Sequence, residues 1–157
     1  MQRHFPFALT ALALLGASAP AIAKSAIEIR SSVFVEKISA TDDGNRRVLA
    51  QTDKHRPGDD LLFILRYRNA GREPARNIIL TQKVPPRVDF VASPSADAEV
   101  SVDGGRSWGQ LSALRIRTKG GGSRAARASD VTHVRFRIDD TIDAGTGGKI
   151  VYRGRVK

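Results

Sequence analysis

From Ala26 onward, apolar residues recur at every second position in short runs, and no stretch sustains the 3.6-residue spacing of an amphipathic helix. The strongest run is Leu61 to Asn69, where Leu61, Phe63, Leu65 and Tyr67 fall on one face of an extended strand. Ala26 to Ile38 alternates in the same way, through Ile27, Ile29, Val33 and Val35. The pattern predicts further strands at Arg47 to Thr52, Ala75 to Val84, Val88 to Val91, Glu99 to Val102, Leu114 to Thr118, Val131 to Ile138 and Lys149 to Val156. Turn-forming clusters separate them: Thr41-Asp42-Asp43-Gly44-Asn45, Pro57-Gly58-Asp59-Asp60, Asn69-Ala70-Gly71, Pro85-Pro86 and Asp103-Gly104-Gly105. Eight or nine short strands, with no helical segment to carry a crossover, predict an all-β fold. The expected form is an immunoglobulin-like antiparallel β-sandwich. Phe63, Leu65, Tyr67, Phe90 and Trp108 are its expected core, and the Gly/Arg-rich stretch Lys119 to Ala128 is expected to be a mobile loop.

The first residues have another character. Arg3 and His4 precede the apolar zone Phe5 to Ala19, and Ala21-Ile22-Ala23 places small residues where a signal peptidase reads them. That zone is shorter than the ~20 apolar residues needed to span a bilayer as a helix. Residues 1–23 therefore read as a cleaved signal peptide, and the protein is expected to be exported, periplasmic or extracellular. No later segment is apolar enough to cross a bilayer. Removing 23 of the 157 residues leaves 134, the size of one domain, so residues 24–157 are expected to form a single sandwich. The chain has no Cys although an exported location permits disulfides. Packing and hydrogen bonds alone must hold the fold, and thiol chemistry is excluded.

Residues Pro57 to Val91 carry a further pattern. Pro57-Gly58-Asp59 is followed by alternating apolar residues up to Tyr67-x-Asn69-x-Gly71, then by Ala75-x-Asn77-Ile78, Val84-Pro85 and Val88-x-Phe90-Val91. This resembles the conserved-repeat surface domain of large bacterial and archaeal envelope proteins, a domain of unknown function. The resemblance implies an immunoglobulin-like sandwich with a stalk, spacer or adhesive role. It covers about a quarter of the chain. Gln82 stands where members often carry an acidic residue; the motif occurs here in a single copy, and no C-terminal anchoring tail is expected.

Charge is the other strong signal. The net charge is +10, and Arg outnumbers Lys 19 to 7. Guanidinium groups bind carboxylate and phosphate through two parallel hydrogen bonds. In an exported protein this points to lipid phosphate or acidic glycan and away from nucleic acid. Arginines recur at spacing two in four strands, as Arg66/Arg68, Arg115/Arg117, Arg135/Arg137 and Arg153/Arg155, so each pair leaves one face of its strand. Like charges facing one another across a ladder are destabilising. If several pairs share a sheet, an anion should neutralise them; otherwise they form an ordinary solvated face with some pairing to Asp and Glu.

Signals for catalysis are sparse. Ser101-x-Asp103-x-Gly105-x-x-Trp108 resembles the Asp-box hairpin of sialidases and other β-proteins, in which the Asp caps turn amides and the Trp packs beneath. Asp42/Asp43, Asp59/Asp60 and Asp139/Asp140/Asp143 sit at turns and lack the spacing of a calcium loop. His55 and His133 lie in no metal or nucleophile motif. Gly145-Thr146-Gly147-Gly148-Lys149 lacks the full spacing of a phosphate-binding loop and leads into a strand. The expectation is a non-catalytic envelope module that binds or scaffolds, without metal or cofactor. A polyanion-binding protein is the first alternative and an envelope hydrolase the second.

Overall fold

A computed structural model describes residues 26–41, 44–51, 54–94 and 98–157. The expected signal peptide and the pair Asp42/Asp43 lie outside these residues. The described residues form ten β-strands: β1 (Ile27–Thr41), β2 (Gly44–Ala50), β3 (Asp60–Asn69), β4 (Ile78–Lys83), β5 (Val88–Ala92), β6 (Ala98–Ser101), β7 (Arg115–Arg117), β8 (Ser123–Ala125), β9 (His133–Ile138) and β10 (Gly147–Val156). Short 3₁₀ turns at Leu111–Ala113 and Ala128–Asp130 are the only helical pieces among the described residues. No described helix is long and apolar enough to cross a membrane.

All strand pairs are antiparallel. A five-stranded sheet runs β2-β1-β3-β10-β5, a three-stranded sheet runs β4-β9-β6, and β7-β8 form a separate hairpin. The layout β1-β3-β10-β5 against β4-β9-β6 is the four-plus-three arrangement of constant-type immunoglobulin domains, with β2 added at one edge. The chain path differs from theirs, because the last strand, β10, occupies the central place between β3 and β5. The count of ten exceeds the expected eight or nine because β8 lies inside the stretch read as a mobile loop. There Gly121, at φ 83°, turns the chain tightly, and Thr118 N–H donates to the Gly122 carbonyl (2.9 Å), closing a hairpin. Glycines that suggest a loose loop serve equally well as a two-strand turn.

The core lies between the sheets. Val35, Leu61, Phe63, Leu65, Phe90, Tyr152 and Val156 from one sheet meet Val100, Val134 and Phe136 from the other. Tyr152 is its centre: fully buried, it stacks on Phe63 at 4.5 Å and lies 6.2 Å from Phe136 across the sandwich. Of the expected core, Phe63, Leu65 and Phe90 are buried, while Tyr67 and Trp108 are only half-buried. Tyr67 lies towards the end of the sheet beside a second small cluster of Leu80, Ile138 and Ile142.

One polar side chain is fully buried at that end. Asn69 donates from Nδ2 to the carbonyls of Glu73 (2.7 Å) and Ile142 (2.9 Å), and its Oδ1 accepts the Gly71 amide (2.9 Å). Its backbone N–H donates to Thr146 O, and its carbonyl accepts the Gly145 amide, both at 2.8 Å. The Asn-x-Gly element is thus a knot joining the end of β3 to the loops before β4 and before β10. Asn69→Ala should cost about 2–3 kcal/mol in chemical denaturation, since it strands the buried Ile142 carbonyl and removes the partners of the Glu73 carbonyl and the Gly71 amide. Asn69→Asp should cost at least as much near neutral pH, because a carboxylate would replace the donor facing those carbonyls.

The Tyr152 hydroxyl has no hydrogen-bond partner among the described residues, and burial pushes its ionisation well above the ordinary value of 10.0. Tyr152→Phe should therefore be neutral or stabilising by up to about 1 kcal/mol, since it removes an unsatisfied polar group. Tyr152→Ala should cost about 3–5 kcal/mol. The folded state holds the neutral phenol, so its contribution is complete below pH 10 and is lost as pH rises beyond. Tyr152→Phe should accordingly flatten the alkaline limb of a stability–pH profile.

Candidate functional site

The outward face of the five-stranded sheet has a charge-balanced end and a cationic end. Alternation in β3 turns Leu61, Phe63 and Leu65 inward and Asp60, Leu62, Ile64, Arg66 and Arg68 outward. Register with β1 and β10 then sets the outward neighbours in rows. At one end Glu36, Asp60 and Arg155 lie side by side, next to the row Phe34, Leu62, Arg153. Arg153 makes a two-pronged pair with Glu36 (3.0 and 3.2 Å), and Arg155 Nε bonds Asp60 (2.7 Å). These bonds push both arginines further above their ordinary range.

Past an apolar row of Ile64 and Val151 beside Ser32, the balance of charge is lost. Arg30, Arg66 and Lys149 stand directly opposite one another across β1, β3 and β10. Such neighbours have Cβ atoms about 5 Å apart, and each like-charge pair costs roughly 0.2–1 kcal/mol. None of the three makes an ion pair or a side-chain hydrogen bond among the described residues. In the next row Arg68 lies between Glu28 and Gly147, and its Nε donates to the Gly145 carbonyl (3.1 Å). These residues surround an open depression of about 580 Å³. Its floor is shaped by glycine: a Cβ at Gly147 would overlap the Tyr67 carbonyl, and one at Gly148 would fall on the Tyr67 hydroxyl.

The four arginine pairs do not share one face. Arg66/Arg68 and Arg153/Arg155 lie together on the sheet just described. Arg135 and Arg137 point outward from β9 in the other sheet, opposite the buried Val134, Phe136 and Ile138. Arg135 bonds Glu99 at 2.7 Å, which lowers the Glu99 pKa, and its guanidinium stacks 4.7 Å from the Trp108 ring centre. Arg115 and Arg117 belong to the β7-β8 hairpin, where Arg115 Nε donates to Ser123 Oγ (3.1 Å). Arg124, on β8, forms two bonds to Asp130 (2.6 and 2.7 Å), lowering the Asp130 pKa to about 2. Arg30 and Lys149 complete the cationic cluster and escape a search for spaced arginines. Neither has another cation two residues away in its own strand, and only the register of β1 and β10 on β3 places it beside Arg66.

The Asp-box-like hairpin is bound up in its own turn. Asp103 accepts from the amides of Arg106 (3.0 Å) and Ser107 (2.9 Å) and from the hydroxyls of Ser107 (2.6 Å) and Ser101 (2.8 Å). These bonds, the Ser107 hydroxyl foremost, hold its carboxyl far below the usual range. Trp108 Nε1 donates to the Gly105 carbonyl (2.9 Å), and Gly104 and Gly105 take positive φ. Trp108 packs over this turn and under Arg135 instead of in the main core. His133 meets Thr132 Oγ1 (3.1 Å), a hydroxyl that already donates to the Ser101 carbonyl (3.1 Å). His55 makes no hydrogen bond among the described residues. Among those residues no group of three or more His, Asp or Glu is placed to hold a metal ion. Asp60 pairs with Arg155, while Asp59 caps the Arg56 amide (2.8 Å).

The fold and this surface define an all-β antiparallel sandwich with an unneutralised cationic depression on one sheet. Comparison with protein-family models, with curated proteins and with solved structures finds no match to the chain.

Relief of like-charge crowding gives a direct test of the cluster. Arg66→Ser should raise the melting temperature in low salt, and the gain should shrink in 1 M NaCl, where exposed charges are screened within ~3 Å. Arg153→Ser, which strands Glu36, should lower it. A salt-independent loss for Arg66→Ser would show that the row is not repulsive.

Proposed function

We propose that this chain is an exported cell-envelope module, periplasmic or released, that works by binding or scaffolding and performs no chemistry. The signal-like residues 1–23 support export, and the resemblance of Pro57 to Val91 to the conserved-repeat surface domain supports an envelope setting. The observation that carries the binding reading is the row Arg30, Arg66, Lys149. Three cations face one another on an open sheet, at a cost to folding, while the same face supplies carboxylates to Arg153 and Arg155. A surface that costs stability without serving the fold is best accounted for by an anionic partner. That observation favours the narrower reading of a polyanion-binding protein, with lipid phosphate or acidic glycan as the anion. The hydrolase reading has little support, since Asp103, Thr132 and His133 are engaged in turn and strand-end bonds.

The full-length chain with a C-terminal tag, expressed in a Gram-negative host, should be recovered outside the cytoplasm with Lys24 as its first residue. Retention of Met1 in the cytoplasmic fraction would remove the export reading. Captured from its own envelope fraction, the protein should carry acidic lipid or glycan that is released by high salt and missing from an Arg66→Ser/Lys149→Ser variant. A protein partner that survives high salt would instead favour scaffolding through apolar or strand-edge contacts.

A further inference from the structure

The depression on the outer sheet face has the charge and geometry of a receptor for one compact, doubly charged group. Four cations border it, Arg30, Arg66, Arg68 and Lys149, against the single carboxylate Glu28, so four less one leaves a local excess of three positive charges. A monoanionic carboxylate would leave most of that excess uncompensated, whereas a phosphate monoester carries close to two negative charges near neutral pH. The row spans two strand spacings, about 10 Å, so the three donors can converge on one tetrahedral group held above β3. Three guanidinium forks and one ammonium fit such a group, because the forks match pairs of phosphate oxygens. Arg68 is already oriented by the Gly145 carbonyl.

The surroundings agree with this chemistry. The volume of about 580 Å³ lies within the ~300–1,000 Å³ range of small-ligand sites and leaves room for a sugar or glycerol beside the phosphate. Gly147 and Gly148 line the depression, and a Cβ at either would collide with Tyr67. Glu28, opposite Arg68, is placed to accept hydrogen bonds from hydroxyls next to the phosphate.

Resting on the polyanion reading above, we infer that Arg30, Arg66, Arg68 and Lys149 form a site for a phosphate monoester on a hydroxylated carrier, either a sugar phosphate or a lipid headgroup. The carrier is bound by its phosphate, and Glu28 contributes selectivity for its hydroxyls.

Residues 24–157 hold the whole described sandwich and suffice for the test. By titration calorimetry in 50 mM salt, glucose 6-phosphate should bind saturably and at least tenfold more tightly than glucuronate. Binding should fall at least tenfold in 500 mM salt and in Arg66→Ser/Lys149→Ser, while that variant melts no lower than the parent. Arg117→Ser, on the β7-β8 hairpin, should leave binding unchanged. Vesicles containing phosphatidylinositol 4-phosphate, a phosphate monoester on a hydroxylated ring, form the second arm. Capture by vesicles alone, lost in the double variant, would support the site with a lipid as the source, and binding of the sugar phosphate would support a soluble source. No binding in either arm, or binding unaffected by the double substitution, would overturn the inference. Capture of polygalacturonate through Arg66 and Lys149 without any binding of phosphate would overturn the phosphate assignment and leave the polyanion reading standing. Loss of all polyanion binding would remove both.

Discussion

The buried amide of Asn69 is the constraint on which the cationic end of the outer sheet face depends. An uncharged polar side chain with no solvent access is tolerable only when its donors and acceptor are met, and here backbone groups of Glu73, Ile142 and Gly71 meet them. The same residue's main chain holds Gly145 and Thr146. One residue therefore ends β3, ties down the loop ahead of β4 and sets where β10 begins. Because β10 begins there, Gly147 falls opposite Arg68 and Lys149 opposite Arg66. A buried hydrogen-bond knot thus fixes the register that brings the surface cations together.

The charge on the outer sheet face is arranged by the same register. Each row across β1, β3 and β10 combines residues far apart in the chain, so a one-residue slip would carry every one of these groups to the inner face. At one end the rows join Arg153 and Arg155 to Glu36 and Asp60, and the arginines are part of the structure. At the other end the rows place cation against cation. One end balances two arginines with two carboxylates, while the other sets four cations against Glu28 alone. This is why a count of arginines says little about function and a count of unpaired ones says more. The remaining arginines follow the same division: Arg124 and Arg135 are held by Asp130 and Glu99.

Much of the fold was legible in the residue pattern. Alternation marked β1, β3, β5, β9 and β10, and Pro85-Pro86 marked the end of β4 at Lys83, because proline offers no ladder donor. The Asp-box-like spacing was legible as a turn, because Asp103 must sit within reach of Ser107 to cap it. What escaped was decided by contacts that residue type alone does not announce. Glycines at 120–122 read as a loose loop, yet a Thr118–Gly122 bond turns them into a hairpin. Trp108 and Tyr67, large and apolar, read as core, but Trp108 covers its own turn beneath Arg135 and Tyr67 lies at the sheet's end. Tyr152 showed no special signal, although its place on the interior strand β10 makes it the hub of the aromatic core.

Local chemistry is written in neighbouring residues, and so the sequence by itself determined the strands, most turns, the absence of thiol chemistry and a strong positive charge. Alternation, proline, glycine and side-chain charge act over a few residues and need no knowledge of the rest. Strand order and register are properties of pairs far apart, and only the tertiary structure decided them. It placed the last strand between β3 and β5, separated structural arginines from unpaired ones, and set Arg30 and Lys149 beside Arg66. No local pattern encodes those neighbours, because they arise only when strands from the two ends of the chain are hydrogen-bonded to the same β3.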